Sequence, residues 1–373
     1  MIVVGDGFKR DYEHDCGKGT FMLNWGVMGA GGIARVFINA MQFSKTGRVV
    51  ALASQSGGQM NELAADFAIP KQYADYDALL ADDEIEAVYI STIHPLHAEW
   101  AIKAAAAGKH ILVEKPIAMN AAEAQTMIDA ARLHDVFLME AFMYRCHPQM
   151  QKVRELLADG AIGRLRMIRS TFSFHATFNP ASRSFNKELG GGGILDVGCY
   201  PASMARLMAG AADGKAFLNP VEVKACGVLG PSGVDHYTAA TLHFENEIIA
   251  EIITGVACRL PIEAIAYGDE GTLSVVNPWL PSSPCRSARK PLPLDTPFPS
   301  AALILTRYGE PAPQEIVVEA DRDLFTYEID AVAANIAARQ APAMSWDDTL
   351  GNMRLLDQWR REIGLTYPQD GRR

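Results

Sequence analysis

The sequence predicts an α/β protein: an N-terminal doubly wound parallel sheet, then a C-terminal α+β domain with a mostly antiparallel open sheet. Three observations lead there. The apolar run 23–28 ends in a glycine-rich turn, Gly29-Ala30-Gly31-Gly32, that opens a helical pattern through Ala40. Short apolar strands then alternate with helices to about residue 145, the rhythm of a parallel sheet. Beyond about residue 150 the strands lengthen and lose their regular intervening helices.

The glycine turn carries the first functional reading. Gly29, Gly31 and Ala34 fit the G-x-G-x-x-G/A fingerprint of a dinucleotide-binding βαβ unit, the Rossmann arrangement. The first glycine permits the tight turn, the second lets a pyrophosphate approach the backbone, and Ala34 lets the helix lie close to the strand. Unpaired N–H groups and the positive dipole end at Gly31, Gly32 and Ile33 then favour an anion. Such a turn also occurs without a ligand, but the second strand, 49–53, arrives where the fingerprint requires it. An NAD site usually ends that strand with Asp or Glu for the ribose 2′-hydroxyl. Here the strand runs into Ser54-Gln55-Ser56-Gly57-Gly58, whose hydroxyl, amide and N–H groups can donate to a 2′-phosphate, with Arg35 in reach. The expected cofactor is NADP, with NAD the alternative.

At 373 residues the chain has room for two full cores, expected over 21–145 and 146–373. Its net charge of −10 argues against non-specific nucleic-acid binding. No apolar run approaches the roughly 18 residues that a membrane helix needs. The six cysteines are scattered without a C-x-x-C, which gives neither a disulfide framework nor a zinc knuckle; a reducing cytoplasm is the expected compartment. Residues 1–20 are polar and lack the apolar core of a secretory signal. They are expected to be a disordered extension, and Met22 stands where a chain could begin.

In order, strands are expected at 48–54, 87–92, 110–113 and 136–139, with helices at 60–67, 95–107 and 121–134 and a short strand and helix around 73–80. Gly108 closes the helix before it. The second domain reads as strands 164–174, 221–228, 237–244, 248–254 and 262–267, broken by a helix at 195–208. The stretch 278–299, rich in Pro and Ser, reads as irregular loop, and helices 324–339 and 345–363 close the chain, the last capped by Ser345 or Asp347.

Ligands of open α/β sheets bind beyond the C-terminal strand ends. Three clusters stand there: Thr92, His94 and His97; Glu114-Lys115-Pro116; and a run from Glu140 to Arg145. Either histidine alone reads equally as a helix cap or a surface residue. Pro116 biases Lys115 to extended geometry, which aims the lysine toward the crevice. A further cluster, Gly190-Gly191-Gly192-Gly193 followed by Asp196 and Tyr200, allows close backbone approach and sets a carboxylate and a phenol four residues apart. A flexible loop before a helix with a core tyrosine fits those residues as well.

These motifs together resemble the glucose–fructose oxidoreductase and inositol dehydrogenase (Gfo/Idh/MocA) family, from about residue 23 to 368. The shared stretches are the glycine turn, Ala107-Gly108-Lys109-His110 with Glu114-Lys115-Pro116, and the run from Gly190 to Tyr200. Many members carry His at the last position. Tyr200, the Ile93-His94 pair and the Ser345-Trp346-Asp347-Asp348 close are similar to the branch of dihydrodiol and NADP-dependent xylose dehydrogenases. The resemblance implies hydride transfer between nicotinamide and a sugar, polyol or cyclic diol. Tyr200 would exchange the hydroxyl proton, Lys115 would favour its phenolate, and Asp196 would orient Lys115 or a substrate hydroxyl. Arg145 and Arg183 are second candidates for holding substrate, a structural role being the alternative for each; Ser54, Gln55, Ser56, Thr92, His94, His97, Glu114 and Lys115 would line the cofactor; no metal is required. A cofactor-bound regulatory protein and an NAD-dependent glycosidase remain as alternatives. Alternating Val221 and Val223, the row Leu242 and Phe244, and Ile248, Ile249, Ile252 and Ile253 with apolar area on both faces of their strand suggest an exposed sheet face, unless the stretch 278–299 folds over it; family members commonly pair through this sheet, so a homodimer is expected.

Overall fold

A computed structural model describes residues 22–55 and 57–371, so the expected N-terminal extension and Ser56 lie outside the described residues. The chain begins with β1 (Leu23–Met28), α1 (Gly32–Met41), β2 (Gly47–Ala53), α2 (Gly57–Asp66), β3 (Lys71–Tyr73) and α3 (Tyr76–Leu80). It continues with β4 (Ala87–Ile90), α4 (His97–Ala106), β5 (His110–Glu114), α5 (Ala121–Leu133) and β6 (Leu138–Ala141). The six strands pair in parallel in the order β3-β2-β1-β4-β5-β6. This is the doubly wound order with its switch point between β1 and β4, where the crevice for a dinucleotide opens. β4 and β5 are buried along their whole length, as strands covered on both faces must be. The expected helix at 95–107 starts later: Pro95 lies in a 3₁₀ turn, His94–Leu96, and α4 begins at His97.

Two helices that the sequence did not announce, α6 (Met143–Cys146) and α7 (Pro148–Ala158), lead into the second domain. There β7 (Leu165–Ser173), α8 (Cys199–Ala211), β8 (Glu222–Leu229), β9 (Asp235–His243), β10 (Ile249–Gly255) and β11 (Glu263–Gly268) are followed by β12 (Gly271–Val275), β13 (Ala301–Arg307) and β14 (Gln314–Val318). The sheet order is β14-β13-β12-β11-β7-β10-β9-β8, antiparallel throughout except for β7 with β10. β12 to β14 went unpredicted. Finally α9 (Leu324–Asn335) packs on α1 and α6, and α10 (Trp346–Glu362) packs on α5 and α8. Ser345 caps α10, accepting the Asp348 N–H at 3.3 Å.

One face of the large sheet is covered by α8, all of whose residues are buried. Leu242, Phe244, Ile248 and Ile252 point to that side and are buried within the chain, so they do not form an open face as expected. Of the expected residues it is Val221 and Ile249 that are exposed, with Met167 and Tyr237, while Ile253 is half-buried, with Ile265 and Tyr267.

Candidate active site

At the β1–α1 turn Gly29 has φ +112°, and a Cβ there would lie 2.7 Å from the Ser91 hydroxyl; only glycine fits. Gly31 is the N-cap of α1 and provides no side-chain cap, so the first N–H groups of the helix point outward unpaired. A Cβ on Gly31 or Gly32 would meet nothing within 4 Å. An uncapped helix end beneath open space fits a pyrophosphate. Ile33 is half-buried on the same turn. The buried Ser54 and exposed Gln55 end β2, followed by α2, whose first glycines also border open space. Arg35 does not turn toward them. It is paired with Asp66 at 2.9 Å and donates to the Arg289 carbonyl at 3.0 Å.

Beyond β4, the Thr92 hydroxyl is buried without a hydrogen-bond partner among the described residues, in keeping with a place at the cofactor. His97 takes another role. Its ring nitrogens stand 3.0 and 3.1 Å from the carbonyls of Pro116 and Thr92, and burial lowers its pKa to about 4. It ties the β4 and β5 ends together rather than facing a ligand. His94 is also buried, with Nδ1 3.3 Å from the Gly190 carbonyl and Nε2 3.4 Å from Arg183. Burial and the His97 ring hold it neutral. Glu114 accepts the Tyr89 hydroxyl at 2.5 Å inside the sheet, and burial raises its pKa against the pull of Lys115.

The glycine run meets these strand ends from the second domain. A Cβ on Gly193 would lie 2.9 Å from the Gly255 Cα and 3.0 Å from Asp235. Buried Asp235 accepts the Ile194 N–H at 2.8 Å through Oδ2, while Oδ1 has no partner among the described residues; burial pushes its pKa up to about 7. The Tyr367 hydroxyl donates to the Gly191 carbonyl. So anchored, residues Ile194–Gly198 form a wide π-type turn before α8, in place of the plain helix expected from 195.

That turn carries Asp196 to Lys115. The ammonium donates to the Asp196 carbonyl at 2.6 Å and lies 3.7 Å from its carboxylate, which also takes two hydrogen bonds at 3.0 Å from Arg183. Burial alone would raise the Asp196 pKa; Lys115 and Arg183 outweigh it and hold the carboxyl ionised. Lys115 sits 5.1 Å from the centroid of the Tyr200 ring. Burial first, then Glu114, raise the phenol well above its ordinary pKa, against the expectation of a favoured phenolate; its hydroxyl reaches the Met143 sulfur at 3.6 Å. Phe142, Phe172 and Trp279 ring Tyr200 with centroids 5.2–5.5 Å away, an aromatic wall that sequence reasoning missed because its members come from three distant segments.

Arg145 is not at the crevice. Its guanidinium is buried against Asp348, with the Ser203 hydroxyl at 3.0 Å, and Asp348 also pairs with Arg206 at 2.6 Å. Of the two readings open for Arg145, the geometry fits the structural one, because Asp348 of α10 claims this arginine.

A dinucleotide cradle on the same sheet edge that carries a half-buried lysine, paired with a buried carboxylate and near a buried phenol, fits a nicotinamide-dependent oxidoreductase. Comparison with known proteins agrees. Residues 23–142 match the model described as "Oxidoreductase family, NAD-binding Rossmann fold", and 150–274 match the GFO/IDH/MocA C-terminal domain. The chain is 33% identical to the trans-1,2-dihydrobenzene-1,2-diol dehydrogenase of Danio rerio, over 93% of this chain and 99% of that protein. Identity to the Homo sapiens protein of that name is 28%, over 94% and 99%. Among solved structures it is similar to the 3-ketoreductase KijD10 of Actinomadura kijaniata in complex with NADP and TDP-benzene (TM-score 0.78, 26% identity, 91% of this chain and 98% of that one). The fold is shared with an aldose-aldose oxidoreductase of Caulobacter crescentus (TM-score 0.77, 22% identity, 92% and 98%). The chain belongs to the Gfo/Idh/MocA oxidoreductase family and binds NADP or NAD. Among the described residues no helix is long and apolar enough to cross a membrane.

Proposed function

We propose that the protein transfers a hydride between NADP and a CH–OH carbon of a sugar, polyol or cyclic diol. NADP, when bound, supplies or accepts that hydride. Tyr200 is the proton-transfer residue, Lys115 assists it, and Asp196 orients Lys115. The observation that carries this reading is the convergence of Lys115 and Tyr200 on the Asp196 turn, at the sheet edge where β1 also ends in the uncapped α1. A phenol kept protonated by burial suits the reductive direction, in which it donates to the carbonyl oxygen. In the oxidative direction the Lys115 ammonium stabilises the developing phenolate. Arg183, half-exposed and paired with Asp196, would meet a substrate oxygen.

The absence of an acid where β2 ends favours NADP, and Ser54 with the α2 glycines would receive the 2′-phosphate. Residues 21–145 form the cofactor domain and 146–373 the substrate and assembly domain. The outward apolar row at Met167, Tyr237, Ile249, Ile253 and Ile265 supports a homodimer packed sheet to sheet, and the cysteine pattern a cytoplasmic setting. The test is fluorescence titration with NADPH and NADH, followed by a panel of sugars, polyols, diols, their ketones and glycosides, monitored at the reduced nicotinamide band. Tight cofactor binding with no turnover in either direction would leave a regulatory protein; glycoside cleavage without net cofactor reduction would make it a glycosidase.

A further inference from the structure

The stretch 281–299, expected only to be irregular, is a strap from the second domain that runs along α1. The Ser282 hydroxyl donates to the Pro299 carbonyl at 2.5 Å, closing the strap at its base. The Cys285 N–H donates at 3.0 Å to the buried carboxylate of Asp323, which also caps α9. The short turn Pro284–Arg286 lies against α1. Farther on, Arg35 donates to the Arg289 carbonyl, and Asn39 holds the Lys290 carbonyl and the Leu292 N–H at 3.0 and 3.1 Å. Phe298 then meets Phe43 edge-on beyond the end of the helix. From 289 to 298 the strap thus passes Arg35, Asn39 and Phe43 in turn, which puts Arg286 toward the N-terminus of α1.

The Arg286 N–H donates to the Ser283 carbonyl at 3.3 Å within the turn, but its side chain makes none of the bonds that hold the strap. Its side chain is exposed and has no acidic partner among the described residues, in a protein whose net charge is −10. It is also near enough to Tyr200 for its charge to favour the phenolate. An exposed guanidinium without an acidic partner among the described residues thus belongs to a turn packed on α1, the helix whose N-terminus is uncapped.

We propose that Arg286 is a cofactor-phosphate ligand, closing from the second domain over the pyrophosphate seated on the N–H groups of Gly31, Gly32 and Ile33. The inference rests on the dinucleotide reading above. The planar fork of a guanidinium matches two phosphate oxygens, and the helix dipole supplies the opposite side of the cradle. The strap's backbone bonds set where the fork stands, so the anion is held between the two domains.

The test is the dissociation constant of NADPH and of NADH, read by nicotinamide fluorescence without substrate, for wild type, Arg286→Ala and Arg286→Lys. A charge-assisted hydrogen bond lost from the pyrophosphate should weaken both cofactors by the same factor, about 10- to 100-fold. Lysine should recover part of the loss, and raised salt should shrink it. Weakening of NADPH alone would reassign Arg286 to the 2′-phosphate and overturn the proposal. Unchanged cofactor binding with a raised KM for carboxylated or phosphorylated sugars would assign it to a substrate anion and overturn it too, as would no change at all. Wild type that binds neither cofactor would instead refute the dinucleotide reading.

Discussion

Replacing Asp235 by Asn should flatten the pH dependence of stability. The carboxyl is fully buried beneath the glycine run and moves from an ordinary value of 3.8 to about 7. Between those values the folded protein keeps a proton that the unfolded chain has lost. Stability must therefore fall as pH rises through this window and level off above pH 7. At about 1.4 kcal/mol per unit, roughly 2–3 kcal/mol of that loss falls between pH 5 and pH 8. Asparagine keeps the oxygen that accepts the Ile194 N–H and removes only the titration. Glu140, pushed to about 7 by burial, contributes equally to both proteins and cancels in the comparison. With an unfolding entropy of about 2.1 cal/mol/K per residue over roughly 350 residues, the wild-type Tm should drop about 3–4 °C more than the variant's on going from pH 5 to pH 8. Thermal unfolding of both proteins at the two pH values reads this directly. Parallel profiles would show that Asp235 does not titrate in this window.

Three other outcomes are expected. Lys115→Met should leave cofactor affinity within several-fold and cut turnover by roughly 10²-fold, since the ammonium bridging Asp196 and the Tyr200 ring is lost; stopped-flow rates equal to wild type would refute its role. Ser54→Asp should shift the kcat/KM ratio of the two cofactors toward NAD, by setting a carboxylate where β2 ends; a wild type that already prefers NAD would refute the reading of that strand end. Ile253→Asp with Ile265→Asp, both facing outward on the large sheet, should give the 40.5 kDa monomer in light scattering while wild type is a dimer; a monomeric wild type would end that idea.

The first domain was legible because each of its signals is local. A glycine turn, continuous apolar strands and helical spacing each fit in a short window, and the strand order followed from them. Lys115 was legible for the same reason: Pro116 and the preceding strand fix its place. What escaped depends on distant partners. Arg145 looked like a crevice residue until Asp348 claimed it from α10. Leu242 and Ile252 had the right alternation but an undecidable sign, because period 2 says that a face is apolar and not which side α8 will cover. β12 to β14 were missed because their half-buried alternation offers weak signals beside a long Pro-rich stretch. Trp279 and Phe172 meet at Tyr200 only through sheet pairing that no window contains.

The outer edge of the first sheet is finished by residues that follow it about 200 positions later in the chain. The Leu138 N–H of β6 donates to the Arg339 carbonyl at 3.1 Å, and the Trp346 indole donates to the Leu138 carbonyl at 3.0 Å. The Thr349 hydroxyl donates to Glu140 at 3.0 Å, and Arg145 waits for Asp348. Each of these partners follows about 200 residues later, which a ribosome adding about 5–20 residues per second takes roughly 10–40 s to deliver. For that interval the nascent first domain carries an unpaired strand edge and an uncompensated guanidinium, the features that invite wrong pairing. A fragment ending before Arg339 should therefore expose the β6 edge and leave Arg145 without its carboxylate, so the cofactor domain draws part of its own stability from the end of the second domain.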